Sequence, residues 1–207
     1  MQETYAISAL EPSLPQTLVQ QDMTHASYQK GGHGAEIDFS IGKCSVGLVV
    51  VASTQHGLCL VGLGNNEENL RKELSIEFPK ALIKRRDGNL ERYLKAIRVL
   101  IDFGAEPTNP LPLDIKATSF QWLVWETLQK IPRGQTMSYG DIARRIGQPN
   151  AARAVGRACA TNSISILIPC HRVVGSNGSL TGYRWGMERK KALLVLEENS
   201  CVQKGRY

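Results

Sequence analysis

The chain has 207 residues, 42% of them hydrophobic and 21% charged, and a net charge of +6. That is room for one good-sized domain or two small ones of ordinary soluble composition. No apolar run approaches a membrane span, and the N-terminus lacks the basic-then-apolar layout of a signal peptide. Five cysteines without close pairs fit free thiols in a reducing, cytoplasmic setting better than a disulfide framework. The charge is uneven. Residues 1–110 carry eleven Lys/Arg against thirteen Asp/Glu, whereas residues 111–207 carry fourteen against six. A second half at +8 suggests a polyanionic partner, although a solvated basic face would look the same.

Residues 1–35 are rich in Gln, Ser, Thr and Pro and read as a tail or linker. Residues 36–106 read as a small α+β domain. Strand patterns cover 37–41, 44–52 and 58–63, with a turn at Gln55-His56-Gly57. A helix opens near Asn65–Glu68 with Leu70, Leu74 and Phe78 on one face. A second carries Leu90, Leu94, Ile97, Leu100 and Ile101 and ends at Gly104. The Pro-rich stretch 107–117 is a linker, and 118–199 form a second domain before a short tail, 200–207.

In that second domain Thr118 or Ser119 caps a helix with Phe120, Leu123, Val124 and Leu128 on its apolar face, broken at Pro132-Arg133-Gly134. Ser138 caps a short helix to Ile146, Gly147 ends it, and Asn150 opens another to about Ala160. Two short helices so joined have helix-turn-helix spacing, which is also a common packing unit. The second is almost all small residues plus Arg153 and Arg157, one turn apart, and the first adds Arg144 and Arg145. Small side chains let a helix approach another helix or a DNA groove closely.

Residues 165–168 read as a buried strand that Pro169 stops, leaving Cys170 beside His171 at the strand exit. A thiol next to an imidazole suits nucleophilic chemistry. A buried structural cysteine fits the adjacency equally well, because neighbouring side chains on extended backbone point opposite ways. The Gly-rich loop 175–186, with Tyr183, Arg184 and Trp185, reads as a binding lip, and a last helix covers 188–198. Cys159, Trp122 and Trp125 read as packing, and Arg172 as an ion-pair partner of the recognition helix or of the last one.

The run Ile168-Pro169-Cys170-His171-Arg172-Val173, Arg153 and Asn162 before it, the Ser138-Tyr139 helix start and Gly182-Tyr183-Arg184-Trp185-Gly186 together resemble the O6-alkylguanine-DNA alkyltransferase family, nearest its bacterial adaptive-response branch. The likeness runs in order from about Thr118 to Glu197 and more loosely back to Glu36. It implies an α+β fold of two small domains, an N-terminal ribonuclease-H-like sheet with helices and a C-terminal, mainly helical winged helix-turn-helix. It also implies a cofactor-free, monomeric, single-use repair protein acting on double-stranded DNA that contains O6-alkylguanine.

By the same resemblance, Cys170 accepts the alkyl group, His171 is its base through a water, and Glu197 orients the imidazole. Asn162 supports the site, and Tyr139 crowds a phosphate and donates toward the departing base. Arg153 replaces the flipped nucleotide, with Ala152 beside it at the DNA. Arg144, Arg145 and Arg157 are read as phosphate contacts, and Tyr183, Arg184, Trp185 and Val173 as the substrate pocket. Cys44, His56 and Cys59 do not match the zinc ligands of some relatives, so no metal is expected. No zinc-cysteine domain is encoded ahead of residue 36, so phosphotriester repair is not expected either. Trp185 is expected to narrow the pocket in favour of methyl over benzyl groups. Alternatives are a lesion-recognition protein without transfer, which Cys170 argues against, a cysteine hydrolase and a plain helix-turn-helix regulator.

Overall fold

A computed structural model describes residues 31–204, with side chains to Ser200. Most of the stretch read as an N-terminal tail, and the Cys201 side chain, lie outside the described residues. Four strands, β1 (Glu36–Cys44), β2 (Gly47–Ser53), β3 (Leu58–Gly64) and β4 (Leu82–Arg85), form one sheet in the order β3-β2-β1-β4. The first three are antiparallel neighbours, and β4 returns parallel to β1. Cys44 closes β1 opposite Gly47, so the hairpin turns three residues later than the sequence pattern suggests. Alternation decides the two faces. Ile37, Phe39, Val50, Ala52 and Leu60 pack under helix α1 (Glu67–Glu77) through Leu70 and Leu74.

Val49, Val51, Val61 and Leu63 point the other way, toward helix α2 (Asp87–Phe103). Helix α2 is fixed by the Leu90-Leu94-Ile97-Ile101 stripe and stopped by Gly104, whose φ of 65° lies in the left-handed region that glycine enters freely. That second cluster does not end at the linker. It runs through Leu111, Leu113 and Ile115 into Val124, Trp125 and Leu128 of helix α3 (Ser119–Gln129), so the two halves share one core. The linker is laid against the outer edge of β3: Leu58 donates to the Pro112 carbonyl at 2.8 Å and accepts from Asp114 N at 2.8 Å.

The C-terminal half is mainly helical. Thr118 and Gln121 form a reciprocal capping box at the start of α3, and Ser138 with Asp141 does the same for α4 (Tyr139–Arg145). Gly147, at φ 73°, makes the turn into α5 (Ala152–Ala160). The indole of Trp125 ties α3 to α5 by donating to the Ala158 carbonyl at 2.9 Å. Two residues of β5 (Met137–Ser138) pair in parallel with β6 (Val173–Val174), and α6 (Met187–Lys204) packs across the seam. No described helix is long and apolar enough to cross a membrane.

One expected element is absent. Residues 165–168 form no strand but a tight reversal, with Ile168 N donating back to the Ile164 carbonyl at 3.0 Å. The partner that a strand would need is used up beforehand, because Val61 of β3 takes Ser163 and Ser165. The reversal puts Ile166 at φ 76°, a conformation that costs a β-branched residue about 1–3 kcal/mol.

Candidate active site

That reversal is held by Asn162, which is buried just beyond the end of α5. Its amide donates to the Ile168 carbonyl at 2.8 Å and to Cys170 Sγ at 3.2 Å, while its oxygen accepts from Ile164 N at 3.0 Å. All three bonds are internal, so one side chain sets both the turn and the thiol. Pro169 then starts a single 3₁₀ turn, Cys170–Arg172, in place of extended backbone. On a 3₁₀ turn successive side chains fan around an axis, which removes the objection that Cys170 and His171 must face opposite ways.

His171 Nε2 lies 2.9 Å from Glu197 Oε1 on α6, with both residues buried. Arg172 grips the same carboxylate through Nε at 3.0 Å and Nη2 at 2.9 Å, and its Nη1 donates to the Ile131 carbonyl at 2.7 Å. Gly134 N adds a bond at 3.3 Å. The other ring nitrogen, His171 Nδ1, is buried and has no hydrogen-bond partner among the described residues.

The electrostatics follow from burial. Burial pushes the Cys170 thiol up, against the Asn162 bond and the nearby Lys190 charge. It pushes His171 down, against the pull of Glu197. Burial also works to raise the Glu197 carboxyl, but the bonds and charges of His171 and Arg172 outweigh it and hold the group at about 2. At neutral pH the site therefore rests as thiol, neutral imidazole and carboxylate. This is not a standing thiolate–imidazolium pair, and a thiol in this state reacts as a nucleophile only once it is deprotonated.

Around the thiol, Val173 is wholly buried and Tyr183 sets its ring edge-on to His171, with centroids 6.4 Å apart. Burial lifts the Tyr183 hydroxyl well above the usual phenol range. Tyr139, at the start of α4, is half-buried and accepts from Thr181 Oγ1 at 3.0 Å, which ties the helix-turn-helix to the loop beyond Cys170. Outside, Arg145, Arg153 and Arg157 are exposed with no ion pair among the described residues, and Ala152 is half-buried beside them. Arg144 is exposed too but paired with Asp141 on its own helix.

Arg184 and Trp185, grouped with the pocket from sequence, are turned toward the N-terminal half. Arg184 bonds Glu77 of α1 at 2.7 Å. The Trp185 indole donates to Ser165 and its ring covers Gly62, where a Cβ would stand 2.6 Å away. Trp185 thus meets the thiol's surroundings through Ser165. Cys159, buried on α5, has its thiol pushed far up by burial and lacks an Asn162 or His171 of its own. Arg172 proves to be bound to the last helix.

Ser165 and Lys190 were not singled out from the sequence. Lys190 is fully buried and donates to the Val173 and Thr181 carbonyls at 2.5 and 2.7 Å. Its signal was present, since Lys190, Leu193 and Glu197 share one inward face of α6 at helical spacing. Among the described residues no group of three or more His, Cys, Asp or Glu is placed to hold a metal ion.

Residues 119–199 match the family described as "6-O-methylguanine DNA methyltransferase, DNA binding domain". Over 154 residues the chain is 44% identical to the inducible methylated-DNA–protein-cysteine methyltransferase of Bacillus subtilis, covering 74% of this chain and 86% of that one. The chain belongs to this family. It is also 40% identical over 175 residues to the bifunctional transcriptional activator/DNA repair enzyme Ada of Escherichia coli, and spans only 49% of that relative's length. The family's two-domain α+β fold is present throughout. The Mycobacterium tuberculosis O6-methylguanine methyltransferase superposes with a TM-score of 0.65 at 34% identity, over 79% of this chain and 94% of that one. A structure of the M. tuberculosis protein in complex with DNA superposes equally well, with a TM-score of 0.65 at 32% identity.

Proposed function

We propose that this methyltransferase repairs DNA by direct, single-use reversal, moving the alkyl group of O6-methylguanine, and on the same chemistry O4-methylthymine, to Cys170. The observation that carries the reading is the buried acceptor turn. A thiol is held by Asn162, and the next residue has one ring nitrogen fixed on Glu197 and the other without a partner. A water between Nδ1 and Sγ would let His171 take the thiol proton as sulfur attacks the methyl carbon. The C–O6 bond breaks and its electron pair passes to O6, leaving S-methylcysteine and guanine. The proton returns from solvent or from the Tyr139 hydroxyl to the released base. Glu197, itself held by Arg172, keeps the imidazolium paired meanwhile, which is the logic of a triad lengthened by a water.

An O6 atom inside a duplex is closed to in-line attack, so the nucleotide must be extruded at a cost of roughly a few kcal/mol. Arg153, exposed in the first turn of α5, fits the gap left behind, and Arg145 and Arg157 meet phosphates without reading sequence. Small residues along α5 permit the close approach. The halves divide the work as 36–106 and 118–199, with DNA held by the second. The protein acts as a monomer without a cofactor, in the cytoplasm.

The test is intact mass after mixing the protein with an O6-methylguanine duplex, alongside Cys170→Ser. One added methyl per chain, mapped to Cys170 and absent from the variant, is expected. Tight lesion binding with no gain in mass would make the protein a damage-recognition module instead.

A further inference from the structure

Arg133 belongs to no motif of the helix-turn-helix or the acceptor turn, yet it stands between the end of an N-terminal helix and the buried pair. Its guanidinium donates to the Leu100 and Ile101 carbonyls at 3.2 and 3.4 Å, in the last turn of α2. The same group lies 3.7 Å from Glu197 Oε1, with its side chain 19% exposed. Late carbonyls of a helix carry partial negative charge. One cation is therefore shared between the negative end of an N-terminal helix and the carboxylate that holds His171. The backbone makes room for it. Gly104 ends α2 in the left-handed region, and a Cβ there would stand 2.6 Å from Arg133 Nε. Behind the junction a cavity of about 240 Å³, lined in part by Leu100, Ile101, His171 and Glu197, separates the halves where Arg133 does not bridge them.

We infer that Arg133 is a positioning residue through which the end of α2 sets the orientation and charge balance of the Glu197–His171 pair. The inference rests on the reading that His171 takes the Cys170 proton. It gives the N-terminal half a part in the chemistry beyond support. Helix α2 fixes the guanidinium, the guanidinium adds a charge contact at Oε1, the Glu197 oxygen that holds His171, and its positive charge disfavours the imidazolium. The charge acts with others that face the imidazole: Glu197 on α6, Arg172 and Cys170 on the acceptor turn, and Tyr183 edge-on from the loop. Glu126 and Lys130 of α3 and Glu106 beyond α2 line the same cavity. None of these changes in the variants below.

The sign is fixed by Coulomb's law. Removing a positive charge near His171 makes protonation easier, so its pKa rises and the base is lost at higher pH. Single-turnover methyl transfer from an O6-methylguanine duplex is followed from about pH 5 to pH 9, where a general base shows as an acid limb. Arg133→Met is expected to move that limb to higher pH and slow transfer near pH 6 by about fivefold, as suits a partly exposed ion pair. Arg133→Lys restores most of the rate. Gly104→Ala, made wholly in the N-terminal half, displaces the guanidinium and shifts the limb the same way by a smaller amount.

An unchanged profile in Arg133→Met would overturn the inference. So would a slowing equal at every pH that Lys does not restore, which is the mark of a packing residue. His171 ring resonances titrated by NMR in the wild type and Arg133→Met read the same shift without any transfer. If the wild type itself adds no methyl, the functional reading fails while this titration still decides the role of Arg133.

Discussion

Two groups of cations in the C-terminal half are treated oppositely. On the outer face of α4 and α5, Arg145, Arg153 and Arg157 stand in solvent with no carboxylate partner among the described residues. At the inner seam, Arg172 and Arg133 close on Glu197, and Lys190 closes on two carbonyls. Charges left uncompensated at a surface act at a distance, are screened by salt and suit a partner that is negative everywhere along its length. Charges fixed by several short bonds in a buried site cannot reach a partner, but they can hold a reacting group in one geometry and one protonation state. On the proposed function, cations serve binding on one side of the Cys170 turn and chemistry on the other.

The sharpest way to break this division is at its inner end. Glu197→Gln should slow methyl transfer on the order of a hundredfold or more while leaving duplex affinity unchanged, since nothing on the outer face is touched. Quench-flow transfer rates and a binding isotherm separate the two. The same carboxyl makes a stability prediction. Its folded pKa of about 2 lies below an ordinary 4.5, so its contribution is complete above pH 4.5 and is lost as pH falls toward 2. The loss is roughly 3 kcal/mol. Urea unfolding at pH 6 and pH 3 should show this acid sensitivity in the wild type and a weaker one in Glu197→Gln.

Trp185 tests the seam between the regions. Trp185→Gly removes a ring buried against Gly62 and should cost about 3–5 kcal/mol in urea unfolding. If the indole also limits the pocket through Ser165, reaction with O6-benzylguanine rises relative to O6-methylguanine. An unchanged ratio would confine Trp185 to packing.

The outer face offers smaller effects. Arg157→Ala and Arg145→Ala should each weaken DNA binding alike for any sequence and lower the salt slope by about one, with no change in thermal unfolding. Arg144→Ala should do less than either, because Asp141 already holds that charge. Salt titrations of the three variants rank them directly.

What could be read from the sequence was what is decided locally or repeated along a helix. Thr118 and Ser138 announce their helices because a cap bonds three residues ahead, and α2 is spelled out by its apolar stripe and Gly104. Strand β4 has no counterpart among these cues: it has four partly exposed residues, two of them charged, and it exists because β1, far back in the chain, offers it an edge. The 165–168 segment was misread for a related reason. Its β-branched composition favours a strand, but Val61 had already determined where its backbone bonds go. At the site, Cys170 and His171 were visible as neighbours and Glu197 through family likeness. Arg133 was not, because its meaning depends on the end of a helix thirty residues earlier in the fold's path, where no local pattern points.

The linker laid along β3 has a consequence for how the molecule behaves in a crowded solution. An open sheet edge is a template on which another chain can add a strand, the first step toward aggregation. Here one edge is occupied by residues 112–114 and 163–165 of the same chain, and the other is the short β4, which carries Lys84 and Arg85 and is followed by Arg86. Neither side invites a further strand, so the chain carries its own guard against clumping.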